Sequence, residues 1–280
     1  MRLRQVVELV RWFMRSPRLG ARYLSGMTEV ISATEFSRQA MTPGSEWAPM
    51  SGSDAGPDGA ENPLWVYFNT HGEGRGIWKW KHYFEIYQKH LAKFVGRDVH
   101  VVEIGVCSGG SLKMWRHYLG PRCHVTGVDI EGACRAYEDE HTLISVGDQA
   151  DREFWRSFRE RVSTVDVLID DGGHTYEQQR VTLEEMLPHI RPGGVYLCED
   201  VHGVGRRFAA YTHALADQLN HFHVIPASES NGQFASGTTG FQKTIHSIHF
   251  YPYVVVIEKA ERPADGFVAP KRGTEWQPFL

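Results

Sequence analysis

From about residue 99 onward, short apolar runs alternate with longer stretches in which apolar residues recur at helical spacing. The short runs have the length and composition of buried strands. They lie at 99–104, 123–128, 142–146, 165–170 and 194–199. The helical stretches lie at 110–119, 133–139, 151–161, 175–189 and 204–219. This alternation predicts right-handed βαβ units and a parallel sheet that is covered on both faces.

The C-terminal part of the chain follows a different pattern. Two β-rich runs, Ile245–Phe250 and Tyr253–Glu258, predict an antiparallel hairpin at one edge of the sheet. Residues 227–243 have turn composition and no periodicity, which predicts a mobile loop. We therefore predict an α/β fold with a Rossmann-like, doubly wound, mostly parallel sheet, a C-terminal antiparallel hairpin and an N-terminal helical extension.

The N-terminal part predicts helices and a linker. The first 24 residues contain six Arg and one Glu, with apolar residues on one helical face. Such a helix could contact a membrane surface or act as an organellar transit signal, but covering a core or a dimer interface is the more ordinary role. Residues 42–62 have linker composition, and a helical pattern runs from Trp78 to Phe94. The predicted bounds are 1–62 for the N-terminal helices and linker, 63–260 for the main domain and 261–280 for a tail.

Composition narrows the class of protein. The 280 residues are 41% hydrophobic and 23% charged, which predicts a packed core. The formal net charge of −4 weighs against a nucleic-acid binder. The four cysteines form no C-x-x-C pair, so neither a zinc site nor a redox dithiol is indicated, and we expect a cytoplasmic protein.

A glycine-rich turn follows the first predicted strand. The strand leads into Gly105, and Gly109, Gly110 and Ser111 precede the next helix. Glycines let the backbone approach a ligand closely, and free N–H groups at a helix start favour an anion such as a carboxylate. The spacing G-x-x-x-G-G differs from the dinucleotide-binding G-x-G-x-x-G, and the chain has no G-x-x-x-x-G-K-[ST] motif. A turn that only packs the helix on the strand is the alternative.

Polar residues end the second and third predicted strands. Asp129 ends the second, where a carboxylate can accept hydrogen bonds from ribose hydroxyls. Asp148 and Gln149 follow the third strand. Helix capping by Asp148 is an alternative interpretation of that pair.

Pairs of carboxylates end the fourth and fifth predicted strands. Asp170 and Asp171 precede two glycines and His174, and Glu199 and Asp200 end the next strand. Neighbouring parallel strands end at the same rim, so these four acids should converge. Like charges at that distance raise each other's pKa unless a cation neutralises them, and Mg²⁺ suits an all-oxygen ligand set. The alternative is that the acids cap helices and the histidine lies at the surface.

These motifs resemble a known family. The E-x-G-x-x-x-G turn with an acid after the next strand resembles class I S-adenosylmethionine-dependent methyltransferases. A longer run resembles bacterial metal-dependent O-methyltransferases of macrolide sugars, of the mycinamicin and tylosin type, over about residues 65–260. Its segments are GIWKW (76–80), EIGVCSGGSLKMW, GVDI, GDQ, IDDGGH, RPGGVYLCEDVH and HFYPYVVVIEK.

The resemblance implies a role for each matching residue. It gives Asp171, Glu199 and Asp200 as Mg²⁺ ligands and His174 as the general base. It also implies residues that contact S-adenosylmethionine: Glu103, Gly105, Ser108, Gly109, Gly110, Ser111, Asp129, Asp148, Gln149 and Asp170. In that family the polar residue after the third strand contacts the adenine.

The implied function is Mg²⁺-dependent transfer of a methyl group from S-adenosylmethionine to a hydroxyl oxygen of a sugar or glycosylated natural product. The expected partner is a small-molecule acceptor rather than nucleic acid, and a homo-oligomer is compatible with the sequence. Two alternatives share the fold: a catechol-type methyltransferase and a cephalosporin hydroxylase-like enzyme. A third is a non-catalytic scaffold that binds S-adenosylmethionine, although the intact acids and histidine weigh against it.

Overall fold

The structure is a computed structural model that describes residues 61–203, 206–225, 229 and 234–275. The chain divides into two units, Met1–Gly59 and Ala60–Leu280, and the described residues belong to the second. The predicted N-terminal helix, its possible membrane contact and nearly all of the predicted linker therefore lie outside the described residues.

A seven-stranded sheet forms the centre of the described unit. Its parallel strands are β1 (Val99–Ile104), β2 (Cys123–Asp129), β3 (Thr142–Val146), β4 (Val165–Asp170) and β5 (Ile190–Cys198). The later strands of the chain are β6 (His223–Ile225), β7 (Phe234–Gly237), β8 (Ile245–Tyr251), β9 (Val254–Lys259) and β10 (Gly266–Ala269).

The strand order of the large sheet is β3-β2-β1-β4-β5-β9-β8. Strand β9 pairs antiparallel with both β5 and β8, so the predicted hairpin is confirmed as the edge of the sheet. Because the order reverses between β1 and β4, a crevice opens at their carboxyl ends, where open α/β sheets bind ligands. The predicted Rossmann-like, doubly wound class is confirmed.

Helices cover both faces of the sheet. They are α1 (Pro63–Thr70), α2 (Tyr83–Leu91), α3 (Gly110–Leu119), α4 (Arg152–Arg161), α5 (Tyr176–Met186), α6 (Arg206–Leu219) and α7 (Gly240–Thr244), with 3₁₀ turns at Ala92–Phe94 and Gly132–Tyr137. Side chains alternate along each strand, so Val101 packs with Trp115 on one face while Val102 packs with Trp155 on the other. Burial on both faces explains why the parallel strands are continuous apolar runs.

Two predictions about secondary structure are wrong in part. The helix predicted from Trp78 begins only at Tyr83, since residues 71–82 form turns and irregular backbone. The loop predicted over 227–243 contains β7 and α7. Helix α7 starts with a capping box in which the side chains of Thr239 and Gln242 each accept a hydrogen bond from the other's backbone N–H.

Strands β6, β7 and β10 form a separate three-stranded antiparallel sheet. Strand β10 lies in the range predicted as a tail, and the division of the chain at 62 and 260 stays a prediction. Within the described ranges, every helix is too short or too polar to cross a membrane.

Candidate active site

The glycine turn after β1 is a place where backbones approach closely. Gly105 has a φ of 87°, and a Cβ at this position would overlap the carbonyl oxygen of Asp171. A Cβ at Gly110 would likewise overlap the carbonyls of Arg75 and Gly76. Only glycine permits these approaches, so the turn joins the ends of β1 and β4 and the segment before α2.

Asp129 holds this turn in place. Its Oδ2 accepts hydrogen bonds from the backbone N–H groups of Val106 at 2.9 Å and Cys107 at 3.1 Å. Ser108 next to them is exposed, and Gly109 (φ 72°) precedes the first residue of α3. The structure therefore brings together the turn and the acid that the sequence predicted as one cofactor site.

Two residues predicted at the cofactor are buried and bonded to each other. Gln149 donates from Nε2 to Asp170 Oδ1 at 2.9 Å and accepts at Oε1 from the backbone N–H of Gly173 at 2.7 Å. Tyr196 donates to the other oxygen of Asp170. Burial raises the pKa of Asp170 to about 6, although these hydrogen bonds oppose the rise. By contrast, Asp148 is exposed.

Four carboxylates lie at the rim where β1, β4 and β5 end, and we call Glu103, Asp171, Glu199 and Asp200 the acid cluster. Glu103 and Glu199 are buried, whereas Asp171 and Asp200 are partly exposed. Glu103 accepts a hydrogen bond from Ser111 at 2.8 Å. Of the four acids predicted to converge, Asp171, Glu199 and Asp200 lie together at the rim, but the prediction is wrong for Asp170, which points into the core.

A lysine for which the sequence predicted no role lies among the carboxylates of the acid cluster. Lys79 Nζ is 2.6 Å from Asp171 Oδ2, 3.0 Å from Glu199 Oε2 and 3.5 Å from Glu103 Oε1, and its side chain is 3% exposed. Burial alone would lower the pKa of Lys79, but the attraction of Glu199, Asp171 and Glu103 outweighs it and holds that pKa well above its usual range. The lysine is therefore charged.

Three aromatic residues of the same segment also bond the acid cluster. Tyr87 donates to Glu199 Oε1 at 2.7 Å, and both Tyr83 and Trp80 donate to Asp200 Oδ1, at 2.7 and 3.0 Å. Tyr83 and Tyr87 are four residues apart and so share one face of α2. Amphipathic spacing in this region predicted a helix, but nothing in the spacing tells which neighbours the hydroxyls reach.

His174 lies against the remaining oxygens of two acids. Its Nε2 is 3.6 Å from Asp200 Oδ2 and 4.0 Å from Asp171 Oδ1. One ligand atom from each of these three residues lies within 4.8 Å of the others. The Nδ1 atom of His174 is buried without a hydrogen-bond partner among the described residues.

Backbone strain is concentrated around this rim. Four described residues other than glycine have a positive φ: Cys107 (48°), His174 (55°), Asp200 (53°) and Tyr253 (65°). Non-glycine residues in this region cost of order 1–3 kcal/mol each and are often found at functional sites. Cys107 belongs to the glycine turn, and the backbone carbonyl of Tyr253 accepts a hydrogen bond from the backbone N–H of Val201. The strain therefore marks the same place as the charges.

A cavity of about 660 Å³ lies beside the rim, between α2 and the β8–β9 turn. Its lining residues are Trp80, His82, Glu85, Ile86, Lys89, Tyr251, Pro252 and Tyr253. Trp80 is also the indole that bonds Asp200. Trp80 therefore lines the cavity and also contacts the acid cluster.

Comparison with known proteins agrees with this geometry. Residues 102–201, which contain the glycine turn and all four carboxylates of the acid cluster but not Lys79, match a family described as a methyltransferase domain. This part of the chain is a methyltransferase domain. It includes His174 and each of the three predicted metal ligands.

Two similar proteins are named as O-methyltransferases. A Streptomyces olivaceus 8-demethyl-8-alpha-L-rhamnosyl tetracenomycin-C 2'-O-methyltransferase is 30% identical over 71% of this chain and 56% of its own length. The mycinamicin VI 2''-O-methyltransferase of Micromonospora griseorubida is 36% identical over 41% of this chain and 30% of its own. This chain thus spans little more than half the length of the first relative.

A solved structure shares the fold. The MycE methyltransferase of the mycinamycin biosynthetic pathway, in complex with Mg and SAH, superposes with a TM-score of 0.56 and 26% sequence identity. The match covers 71% of this chain and 54% of that one. Another structure of MycE also contains mycinamycin VI and superposes with a TM-score of 0.55 at 25% identity.

Proposed function

We propose that this protein transfers a methyl group from S-adenosylmethionine to a sugar hydroxyl of a glycosylated natural product and that the reaction requires Mg²⁺. The observation that carries the proposal is the position of His174 Nε2 against one oxygen each of Asp171 and Asp200. A ring nitrogen beside carboxylate oxygens that have no other partner among the described residues supports this proposal, and the match of residues 102–201 to a methyltransferase domain supports it further. The sugar O-methyltransferases among the relatives support the acceptor class.

The acid cluster fits a divalent metal ion. Asp171, Glu199 and Asp200 would hold it, because they offer carboxylate oxygens at one rim and hard ions such as Mg²⁺ prefer oxygen ligands. Asp200 Oδ1 is held by Tyr83 and Trp80, so its Oδ2 is directed towards His174. Bound there, the ion would act as a Lewis acid that lowers the pKa of an acceptor hydroxyl.

His174 is the proposed general base. The acceptor hydroxyl would give its proton to Nε2 while its oxygen forms a bond to the methyl carbon, and the carbon–sulfur bond breaks to leave S-adenosylhomocysteine. Because Nδ1 is enclosed, Nε2 is the ring nitrogen that an acceptor hydroxyl could reach. Positioning of this kind supplies a large part of the rate enhancement of an enzyme.

The proposed cofactor residues fall into two groups. Ser108 and Asp148 are exposed and Asp129 is partly exposed, with Gly105 and Gly109 in the turn. Glu103, Gly110, Ser111, Gln149 and Asp170 are buried, and we propose that they support the turn and the rim from beneath. The aromatic cavity next to Asp200 is the proposed site for part of the acceptor.

The test is a methyl-transfer assay of the full chain with labelled S-adenosylmethionine. The acceptors are a panel of rhamnosides and deoxysugar glycosides and a panel of catechols, each assayed with Mg²⁺ and with excess EDTA. We expect transfer to at least one glycoside that stops with EDTA and returns with Mg²⁺. Transfer only to catechols would favour the catechol-type enzyme, and full activity in EDTA would contradict the metal site.

A further inference from the structure

Lys79 connects three strand ends that would otherwise repel each other. Glu103 lies on β1, Asp171 follows β4 and Glu199 follows β5, and Lys79 Nζ lies within 3.5 Å of an oxygen of each. Both Glu103 and Glu199 are essentially unexposed. Buried carboxylates that are not neutralised destabilise a fold. A nearby cation therefore stabilises the acid cluster in its ionised form.

The oxygens of the acid cluster are divided between two directions. Lys79 bonds Asp171 Oδ2 and both oxygens of Glu199. The oxygens Asp171 Oδ1 and Asp200 Oδ2 face His174 instead. A metal ion beside His174 would thus share Asp171 with Lys79 and would compete with Lys79 for the oxygens of Glu199.

We propose that Lys79 is a resident cation of the acid cluster, which neutralises Glu199 and Glu103 in the metal-free protein and competes with the divalent ion for the charge of the shared carboxylates. The proposal rests on the proposed metal site. Lys79 is a positioning residue, since it acts through Asp171 and Glu199 and not on the acceptor. Two cations that share the same ligands weaken each other's binding, so the loss of one strengthens the other.

The first test replaces Lys79 by methionine, which has a similar length and no charge. The metal-free melting temperature of Lys79→Met should fall by about 10 °C, as expected when one partner of a buried ion pair is removed from a protein of this size. Mn²⁺ should bind Lys79→Met at least about tenfold more tightly than wild type, because a nearby positive charge is gone. Saturating Mn²⁺ should recover most of the lost melting temperature.

Lys81→Met is the matched control. It removes the same charge two residues along the same segment, where the side chain is exposed and lies over the Trp65 ring. Its Mn²⁺ affinity should stay within about threefold of wild type, since exposed charges are screened. Measuring Mn²⁺ by electron paramagnetic resonance reports binding without any turnover.

The double variant Lys79→Met/Glu199→Gln separates charge from shape. If Lys79 stabilises the fold by neutralising Glu199, removing both charges should restore more than half of the melting temperature lost in Lys79→Met without metal. If Lys79→Met does not fold, a folded double variant supports the proposal, and failure of both variants to fold overturns it.

Other outcomes are equally decisive. An unchanged metal-free melting temperature, or an Mn²⁺ affinity that is unchanged or weaker in Lys79→Met, overturns the proposal. Absence of Mn²⁺ binding to the wild-type protein contradicts the proposed metal site, while the metal-free comparison with the double variant still decides whether Lys79 neutralises Glu199.

Discussion

Two groups of side chains in the described part of the chain bring histidine and carboxylate atoms within 4.8 Å of one another. One is the rim of the sheet, with Asp171, His174 and Asp200. The other, which we call the histidine cluster, consists of His90, His249 and Glu258 and lies between α2, β8 and β9. Both border the same helix, because Tyr83 and Tyr87 of α2 bond the rim acids and His90 lies one turn further along.

The two groups differ in how completely their polar atoms are matched. In the histidine cluster, His90 bonds Glu258 Oε1 through Nδ1 at 2.6 Å and the Tyr251 hydroxyl through Nε2 at 2.9 Å. Lys93 bonds the other oxygen of Glu258 at 3.3 Å. One carboxylate thus has two nitrogen partners, a balanced arrangement typical of a structural ion pair.

The rim shows the opposite balance. Its acids outnumber the single lysine among them, and the Nδ1 of His174 is buried without a partner among the described residues. His174 and Asp200 also have strained backbones. Proximity of ligand atoms is therefore not enough to identify a site in this protein. Unmatched charge and strain distinguish the rim from the histidine cluster.

The largest effect should come from the histidine at the rim. His174→Ala removes the proposed base, so turnover should fall by about 10²–10⁴-fold. Metal-free stability should stay near wild type because the side chain is one-third exposed. Mn²⁺ affinity should also stay near wild type because His174 is not one of the proposed metal ligands. Steady-state kinetics and a melting curve on one preparation measure both. Retention of more than about a tenth of wild-type turnover would show that His174 is not the base.

Removal of a hydroxyl behind Asp200 should have the next largest effect. Tyr83 donates to Asp200 Oδ1 and accepts the backbone N–H of Asp200, so Tyr83→Phe loosens a strained residue. Groups that orient metal ligands typically contribute 10–100-fold to metal affinity or activity. We expect a loss in that range for Mn²⁺ affinity, measured by titration. Tyr251→Phe, which removes a hydroxyl from the histidine cluster, is the control and should leave Mn²⁺ affinity unchanged.

The histidine cluster should show the reverse of the behaviour at the rim. His90→Ala leaves Glu258 and Tyr251 without their shared partner, which should cost about 1–3 kcal/mol in the free energy of unfolding. Turnover per folded molecule should be preserved, since His90 contacts none of the rim acids directly. Urea unfolding and an assay below the transition measure the two quantities. A tenfold loss of turnover with normal stability would instead assign His90 to the reaction.

The sequence predicted the parts of this molecule that depend on local pattern. Continuous apolar runs specify strands that are buried on both faces, so β1, β3 and β4 have the predicted bounds. Parallel strands end at one rim, so the meeting of Asp171, Glu199 and Asp200 followed from topology. The α7 helix was missed because a capping box over Thr239–Gln242 outweighed a glycine- and threonine-rich composition.

Contacts between distant segments could not be predicted from the sequence. Lys79 reaches Glu199 across 120 residues, and neither charge nor spacing in its neighbourhood specifies that partner. Asp170 and Asp171 look equivalent in sequence, yet strand alternation turns Asp170 into the core towards Tyr196 and leaves Asp171 at the rim. The residues missed are those whose role depends on which face or which distant strand end they meet.

The smallest expected effect is the pH dependence of stability in the histidine cluster. The hydrogen bond from His90, helped by the charge of Lys93, lowers the pKa of Glu258 from its usual value to about 2. Folding therefore favours the ionised carboxylate, and its stabilisation is present above the unfolded pKa of about 4.5 and is lost as pH falls towards 2. As the pH falls from 6 to 4, the free energy of unfolding should decrease by about 1 kcal/mol through this group. Urea unfolding across that range should show the loss in wild type, and the Glu258→Gln variant should lack this component. Equal pH dependence in both proteins would mean that Glu258 is paired no better in the folded protein than in the unfolded chain.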